Sequence, residues 1–241
     1  MKFIALVGTQ GRMPKEAVEI MNAGFPAYMA EMEPRGVRVL GRELDFPETA
    51  VTVRVRGGRT LVTDGPFVET KEYVAGFDVL DCADIDEAIE VEGKSPVAQF
   101  LPFEIRPLRG DLRLGPGTGA FGDGDDGSGI PYMLTTWVDH SGGGDDAPEA
   151  DAYEAWRAEL EQAGPFILGA QFGDPQSFRT LRPRDGKIAV AEGSFLPPAA
   201  QCTGLDVIRC PDRDRAAALA ATHPFVQSHA IEVRPFYVAP A

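Results

Sequence analysis

Three groups of residues have the types and spacing for acid–base chemistry. The first is the run TDGPFVETKEY, Thr63 to Tyr73, which gathers Asp64, Glu69, Lys71 and Tyr73 around an Asp-Gly-Pro-Phe turn. Glu69 could move a proton while Lys71 holds a substrate carboxylate, with Tyr73 as a substrate contact. The same alternating charges also suit a solvated surface. Asp64 carries two readings. Its carboxylate could accept the backbone N–H of Phe67 in an Asx-turn, because Pro66 has none to give, or it could act as a general base at a cleft mouth. The second group is a later version of that run, AEGSFLPPAAQ, in which Glu192 stands for Asp64 and the charged tail is replaced by Pro and Ala. The third group is the histidines His140, His223 and His229. A neutral imidazole is suited to proton transfer near pH 7, although a lone histidine at a helix end also serves as a cap.

No metal or cofactor is expected from these residues. The histidines show no H-x-x-x-H or Cys–His spacing. Neither a G-x-S-x-G element nor a P-loop is present. The string GTGAFG matches G-x-G-x-x-G at Gly117, Gly119 and Gly122, but a dinucleotide site needs a strand before it and a helix after it. More Gly and Asp surround it instead, and the cluster Asp123 to Asp126 lacks the alternation of a calcium loop.

The elements that position these residues come in two copies. Sliding the chain by 128 residues aligns Ala27–Pro107 with the later half without a gap. RVLGRELDFPETAVTVRVRGGR lies over FILGAQFGDPQSFRTLRPRDGK, GFDVLDCAD over GLDVIRCPD, and FEIRPL over IEVRPF. Such a register marks a tandem duplication. Between the copies, GDLRLGPGTGAFGDGDDGSGIP (Gly110 to Pro131) has little to bury and reads as an acidic linker. The expected organisation is a domain at 1–108, a linker at 109–129 and a diverged domain at 130–241.

Each copy has the same rhythm. A β-rich start, KFIALVG or YMLTTWV, leads to a helix. In copy two Tyr153, Trp156, Leu160 and Ala163 recur at helical spacing and Gly164 closes the run. In copy one Pro26 is expected to kink or restart the helix. A strand follows, then a Val/Thr alternation broken by Gly57-Gly58, the mark of a hairpin. A further strand precedes a short helix opened by Asp84 and Glu87 as a capping pair, with Asp212 as its counterpart. A last strand closes the copy. This order is that of an α+β, ferredoxin-like unit, and the exposed sheet face of one copy can be covered by the other in an intramolecular pseudo-dimer.

Recurring residues suggest structure as much as chemistry. Arg54/Arg182 and Arg106/Arg234 could bind an anionic substrate from an inner sheet face or pair with Asp78/Asp206. Tyr28 and Trp156 hold equivalent helix positions, as core or as a substrate wall. Cys82, Cys202 and Cys210 fit buried apolar positions in a reduced, cytoplasmic compartment.

Composition narrows the partners. The chain has 241 residues, 44% hydrophobic and 25% charged, as in an ordinary globular protein. Its net charge of −14 argues against nucleic acid or an anionic membrane as partner. No apolar run is long enough for a membrane span. A small-molecule ligand or substrate is left as the expected partner, and pseudo-dimers could associate further into a homo-oligomer.

The strings MPKEAVEIMNAGFPAYMAEMEPRGV, VRGGRTLVTDGPFVETKEYVAGFDVLD, DEAIE and EIRPL resemble the YCII-related family in its DGPF-domain branch. The resemblance covers nearly all of copy one. It implies two ferredoxin-like domains paired as a dimeric α/β-barrel, with a cleft between sheet and helices. It leaves the reaction open: most DGPF-type members have none assigned, and many lie beside extracytoplasmic-function sigma factors. The wider superfamily includes lactone isomerases, dehalogenases and cofactor-free monooxygenases. Where a YCII site has been proposed it uses a His and an Asp, and copy one has no histidine. The leading expectation is a cofactor- and metal-independent acid–base enzyme of lyase, isomerase or hydrolase type. A ligand-binding accessory protein linked to a sigma factor and a cofactor-free monooxygenase are the alternatives.

Overall fold

The computed structural model describes residues 1–67, 71–115, 129–139, 150–197 and 201–238. In chain order, copy one supplies β1 (Lys2–Thr9), α1 (Lys15–Met32), β2 (Arg38–Glu43), β3 (Val51–Arg56), β4 (Arg59–Asp64), β5 (Tyr73–Asp81), α2 (Ile85–Gly93) and β6 (Phe103–Pro107). A two-residue strand, β7 (Arg113–Leu114), precedes copy two. Copy two supplies β8 (Ile130–Val138), α3 (Ala150–Ala163), β9 (Phe166–Gln171), β10 (Arg179–Arg184), β11 (Lys187–Glu192), β12 (Cys202–Cys210), α4 (Arg213–Ala220) and β13 (His229–Pro235).

The sequence cues act locally as expected, with one exception. Gly57 and Gly58 both have positive φ, 57° and 74°, which closes β3–β4 with a two-residue turn. Asp185 and Gly186, at 52° and 73°, do the same for β10–β11. Asp84 caps α2 by accepting from the N–H of Glu87 at 2.9 Å, and Asp212 caps α4 through Arg215 N–H at 2.7 Å. The exception is Pro26: α1 runs through it without a break. Pro26 and Asn22, whose carbonyl loses its helical partner, are both exposed, so water can take that carbonyl.

Two sheets form, with strand orders β11-β10-β6-β1-β5-β2 and β4-β3-β13-β8-β12-β9-β7. Four strands in each, β6-β1-β5-β2 and β13-β8-β12-β9, have the 4-1-3-2 order of a ferredoxin-like unit. The hairpins are exchanged. β10–β11 of copy two extends the sheet of copy one, through pairing of Arg179–Leu181 with Phe103–Ile105. β3–β4 of copy one extends the sheet of copy two, through Val51–Val53 against Ile231–Val233. Compact unit 1 accordingly comprises Met1–Glu43, Thr70–Asp111 and Phe172–Pro197, and unit 2 the remainder.

Helices cover one face of each sheet. In unit 1, Phe3, Ala5, Leu80, Phe103, Ile105 and the exchanged Leu181 pack with Tyr28, Met32, Ala88 and Val91. In unit 2, Tyr132, Leu134, Ile231, Val233 and the exchanged Val51, Val53 and Val55 pack with Tyr153, Trp156 and Leu160. The exchanged hairpins therefore contribute to each hydrophobic core as well as to the sheet ladders. The three cysteines are buried, and burial pushes the Cys82 and Cys210 thiols up to about 11.

Candidate functional site

The Asp-Gly-Pro-Phe turn is held from below. Gly65 has φ 94° and Gly193, its equivalent, 88°, so both turns need a residue without Cβ strain. Each glycine N–H bonds to the start of its own hairpin, at Ala50 O and Phe178 O, 2.9 Å in both cases. The N–H of Phe67 donates to Glu232 Oε2 at 3.1 Å, and that of Phe195 to Glu104 Oε2 at 2.8 Å. Phe67 N–H is thus spent on a buried carboxylate of the other copy rather than on Asp64. Glu104 and Glu232 also take the buried guanidiniums two residues on, Arg106 at 2.7 Å and Arg234 at 3.4 Å. Those arginines pair with these glutamates, and the candidate partners Asp78 and Asp206 have others.

In unit 2 a polar group lies between the helices and the sheet. Asp206, on β12, accepts from the Tyr153 hydroxyl at 2.6 Å and from His223 Nε2 at 3.3 Å. The N–H of Phe225 donates to His223 Nδ1 at 3.2 Å, so the ring proton sits on Nε2 and faces Asp206. Both nitrogens are engaged in a fully buried network, which makes His223 a cap for the 3-10 turn Pro224–Gln227. Burial, then the charge of Asp206, pushes the Tyr153 phenol well above its ordinary value.

His229 lies at the start of β13 on the same face as Ile231, with its ring edge-on to Phe225 at 5.4 Å. Ser228 Oγ is 2.9 Å from Nδ1 and 3.4 Å from the Phe225 carbonyl. A carbonyl only accepts, so a serine proton given to it makes Nδ1 the donor and leaves the lone pair on Nε2. Burial first, then His223 and Arg56, lowers the pKa of His229, so the ring is neutral at pH 7. Arg56 comes from the exchanged hairpin. It bonds to the Val226 and Gln227 carbonyls at 3.1 and 2.9 Å and so fixes the turn that carries Ser228 and His229.

Two buried donors share that face. The Thr136 hydroxyl is buried and takes no hydrogen-bond partner among the described residues, and the buried Gln171 amide lies within reach of the Tyr153 phenol. Gly204 stands between them, paired with Thr136 on one side and Gln171 on the other. A Cβ at Gly204 would lie 2.7 Å from Gln171 Nε2, so the amide packs over the glycine. His229 is diagonal to Thr136 across the β8–β13 ladder, where Thr136 pairs with Ile231.

In unit 1 the corresponding space is filled differently. Arg38 Nε donates to Asp78 Oδ1 at 2.8 Å, with a second contact from its Nη2. Glu92 on α2 is fully buried, and neither of its oxygens has a partner; the buried Tyr28 hydroxyl has none either. Burial, then the charge of Asp78, pushes Glu92 well above the carboxylate range, and burial raises Asp78 against the pull of Arg38. Burial likewise raises the Tyr28 phenol.

The remaining sequence candidates are dispersed. Asp64 ends β4 with its side chain 86% exposed, 3.5 Å from Arg213. Glu192 is 83% exposed, 3.6 Å from Arg179. Lys71 is exposed, and Tyr73 begins β5 opposite Thr9. Glu69 and His140 lie outside the described residues. Arg54 bonds to Asp139 Oδ2 at 2.9 Å and covers the Phe67 ring at 4.9 Å, while its counterpart Arg182 takes Glu72 with two bonds of 2.7 Å. Trp156 donates to Thr222 Oγ1 at 2.9 Å and stands edge-on to His223 at 4.5 Å. Trp156, His223 and His229 come together, with Trp156 against His223 and both histidines against Phe225. Glu92, Thr136 and Gln171 escaped a reading based on motifs, since no local pattern surrounds them. Glu104 and Glu232 were visible as a repeated acid in FEIRPL and IEVRPF. Among the described residues no group of three or more His, Cys, Asp and Glu side chains could hold a metal ion. No helix among them is long and apolar enough to cross a membrane.

The model of the YCII-related domain matches the chain twice, at residues 2–109 and 139–238. An uncharacterized protein of Rhizobium meliloti (strain 1021) is 43% identical over 63 residues, 24% of this chain and 49% of the relative, so the chain spans about half the length of that relative. The solved structure of a candidate chlorite dismutase, TA0507, aligns with a TM-score of 0.40 at 7% identity, over 98% of this chain and 94% of that one. A score that low carries no argument about fold or chemistry.

Proposed function

The chain belongs to the YCII-related family, and we propose that it is a small-molecule enzyme working by acid–base catalysis, with His229 as the proton acceptor. The supporting observation is the neutral His229 ring, tied at Nδ1 to Ser228, on the face that also carries the Gln171 amide and a Thr136 hydroxyl without a partner among the described residues. A general base works best unprotonated, with its pKa near the working pH and its lone pair accessible. The two donors suit a carbonyl oxygen, whose negative charge grows as a proton leaves the adjacent carbon. His229 Nε2 takes that proton. Returning it elsewhere gives an isomerisation; loss of a β-substituent gives a lyase reaction. These residues need neither metal nor cofactor for that step.

The test is solvent deuterium exchange. Small ketones and lactones are incubated with the protein in D2O and their α-protons followed by NMR. Exchange should fall by about 100-fold or more in His229→Gln and about tenfold in Thr136→Val, with little change in Tm. Exchange that survives in His229→Gln removes the proposal. Stabilisation by a compound without any exchange would point to a binding module instead.

A further inference from the structure

Unit 1 carries a second group of buried polar side chains, which the reaction proposed for unit 2 does not use. Glu92 is 0% exposed and both its carboxyl oxygens lack a partner. Tyr28, 5% exposed, has a hydroxyl with no partner among the described residues and feels the Glu92 charge. Asp78 spends Oδ1 on Arg38, and its charge acts on both Glu92 and Tyr28. Two carboxyls therefore face one guanidinium, and the unspent atoms are mostly acceptors.

Unit 2 solves the same position within its own chain. Asp206, the equivalent of Asp78, receives the Tyr153 hydroxyl and His223. In unit 1 those donors are replaced by Phe25 and Ser95. Conversely, unit 2 has Ala220 where unit 1 has Glu92, Trp156 for Tyr28 and Phe166 for Arg38. The duplication has thus placed a carboxyl in unit 1 and withheld the donors that would satisfy it. An unpaired buried carboxyl is strongly unfavourable, and a fold keeps one where something else completes it.

We propose that Asp78, Glu92 and Tyr28 form a binding site for a small molecule bearing a primary ammonium group. An ammonium brings three N–H donors and one positive charge, which match the surplus of acceptors and the extra carboxyl. Arg38 holds Asp78 in place from the β2 side. The site is independent of His229 and lies in the other compact unit.

The experiment uses the full chain and three probes: n-butylammonium chloride, tetramethylammonium chloride and sodium butyrate. Thermal unfolding and titration calorimetry are read for each. Butylammonium should raise Tm by about 2–5 °C at saturating concentration, while tetramethylammonium, which has the charge but no N–H, and butyrate should not. Glu92→Gln should weaken butylammonium binding at least tenfold, and Thr136→Val should leave it unchanged. Equal shifts from butylammonium and tetramethylammonium, or full affinity in Glu92→Gln, overturn the site. If Glu92→Gln does not fold, Tyr28→Phe is read instead: a weakened shift supports the site and an unchanged one overturns it.

Discussion

The backbone N–H of Phe67 donates to Glu232 Oε2 across 165 residues of sequence, at 3.1 Å. The same bond recurs between Phe195 and Glu104, at 2.8 Å. Each joins the turn of one copy to the last strand of the other, so the exchanged hairpins are pinned at their far ends as well as along their ladders. Removing Glu232 leaves the Arg234 charge buried without that carboxylate. Glu232→Ala should destabilise the protein by about 3–5 kcal/mol, and Glu232→Gln by clearly less. Asp64→Asn, at an exposed site, should change stability by less than about 0.5 kcal/mol. Denaturant unfolding of the three variants checks the order.

Gly65 tests the turn itself. Nothing among the described residues lies within 4 Å of a Cβ placed there, so the penalty for a side chain there comes from its φ of 94°. Gly65→Ala should cost about 1–2 kcal/mol, measured by the same unfolding experiment. A neutral result would mean that the turn relaxes to negative φ.

Glu92 gives the protein a pH dependence. Its folded pKa is raised well above the unfolded value, with Asp78 raised in the same direction. The stabilising contribution of a raised group is full below the unfolded pKa and is lost as pH rises toward the folded one. Stability should therefore fall as pH rises above about 4.5 through neutrality. Glu92→Gln should flatten that slope and be the more stable form at pH 8. Tm against pH for both proteins tests this, and an unchanged slope in the variant would assign it to other groups.

His229 sets the acid limb of the proposed reaction. Its pKa is lowered, chiefly by burial, so the ring stays unprotonated below the ordinary histidine value. The deuterium-exchange rate should fall with acid only below about pH 6.5. A limb at higher pH would mean that another group is the base.

The exchanged hairpins predict how a half-chain behaves. Residues 1–108 contain β6 but not β10, its partner strand, and carry β3 without β13. Two copies of the fragment can restore both pairings by trading hairpins. The fragment should sediment as a dimer, and a well-folded monomer at micromolar concentration would show that the hairpin can fold back on its own copy.

The duplication, the hairpin turns, the helix caps and the α+β element order could all be read from the sequence, because each depends on neighbours a few residues apart or on a repeat visible by eye. The shared Gly and Phe of the two turns were legible for the same reason. What the sequence could not settle was which copy each hairpin joins: the strand alternation of VTVRVR is equally satisfied by either sheet, and only the pairing of Val51–Val53 with Ile231–Val233 decides it. The partner of Phe67 follows from that exchange, which is why Asp64 looked sufficient along the chain and proved exposed in space. Thr136 and Glu92 carry no local signal, since an unpaired buried polar atom is defined by what fails to surround it. That property belongs to the packing of distant segments and arises only when the sheets and helices have closed over them.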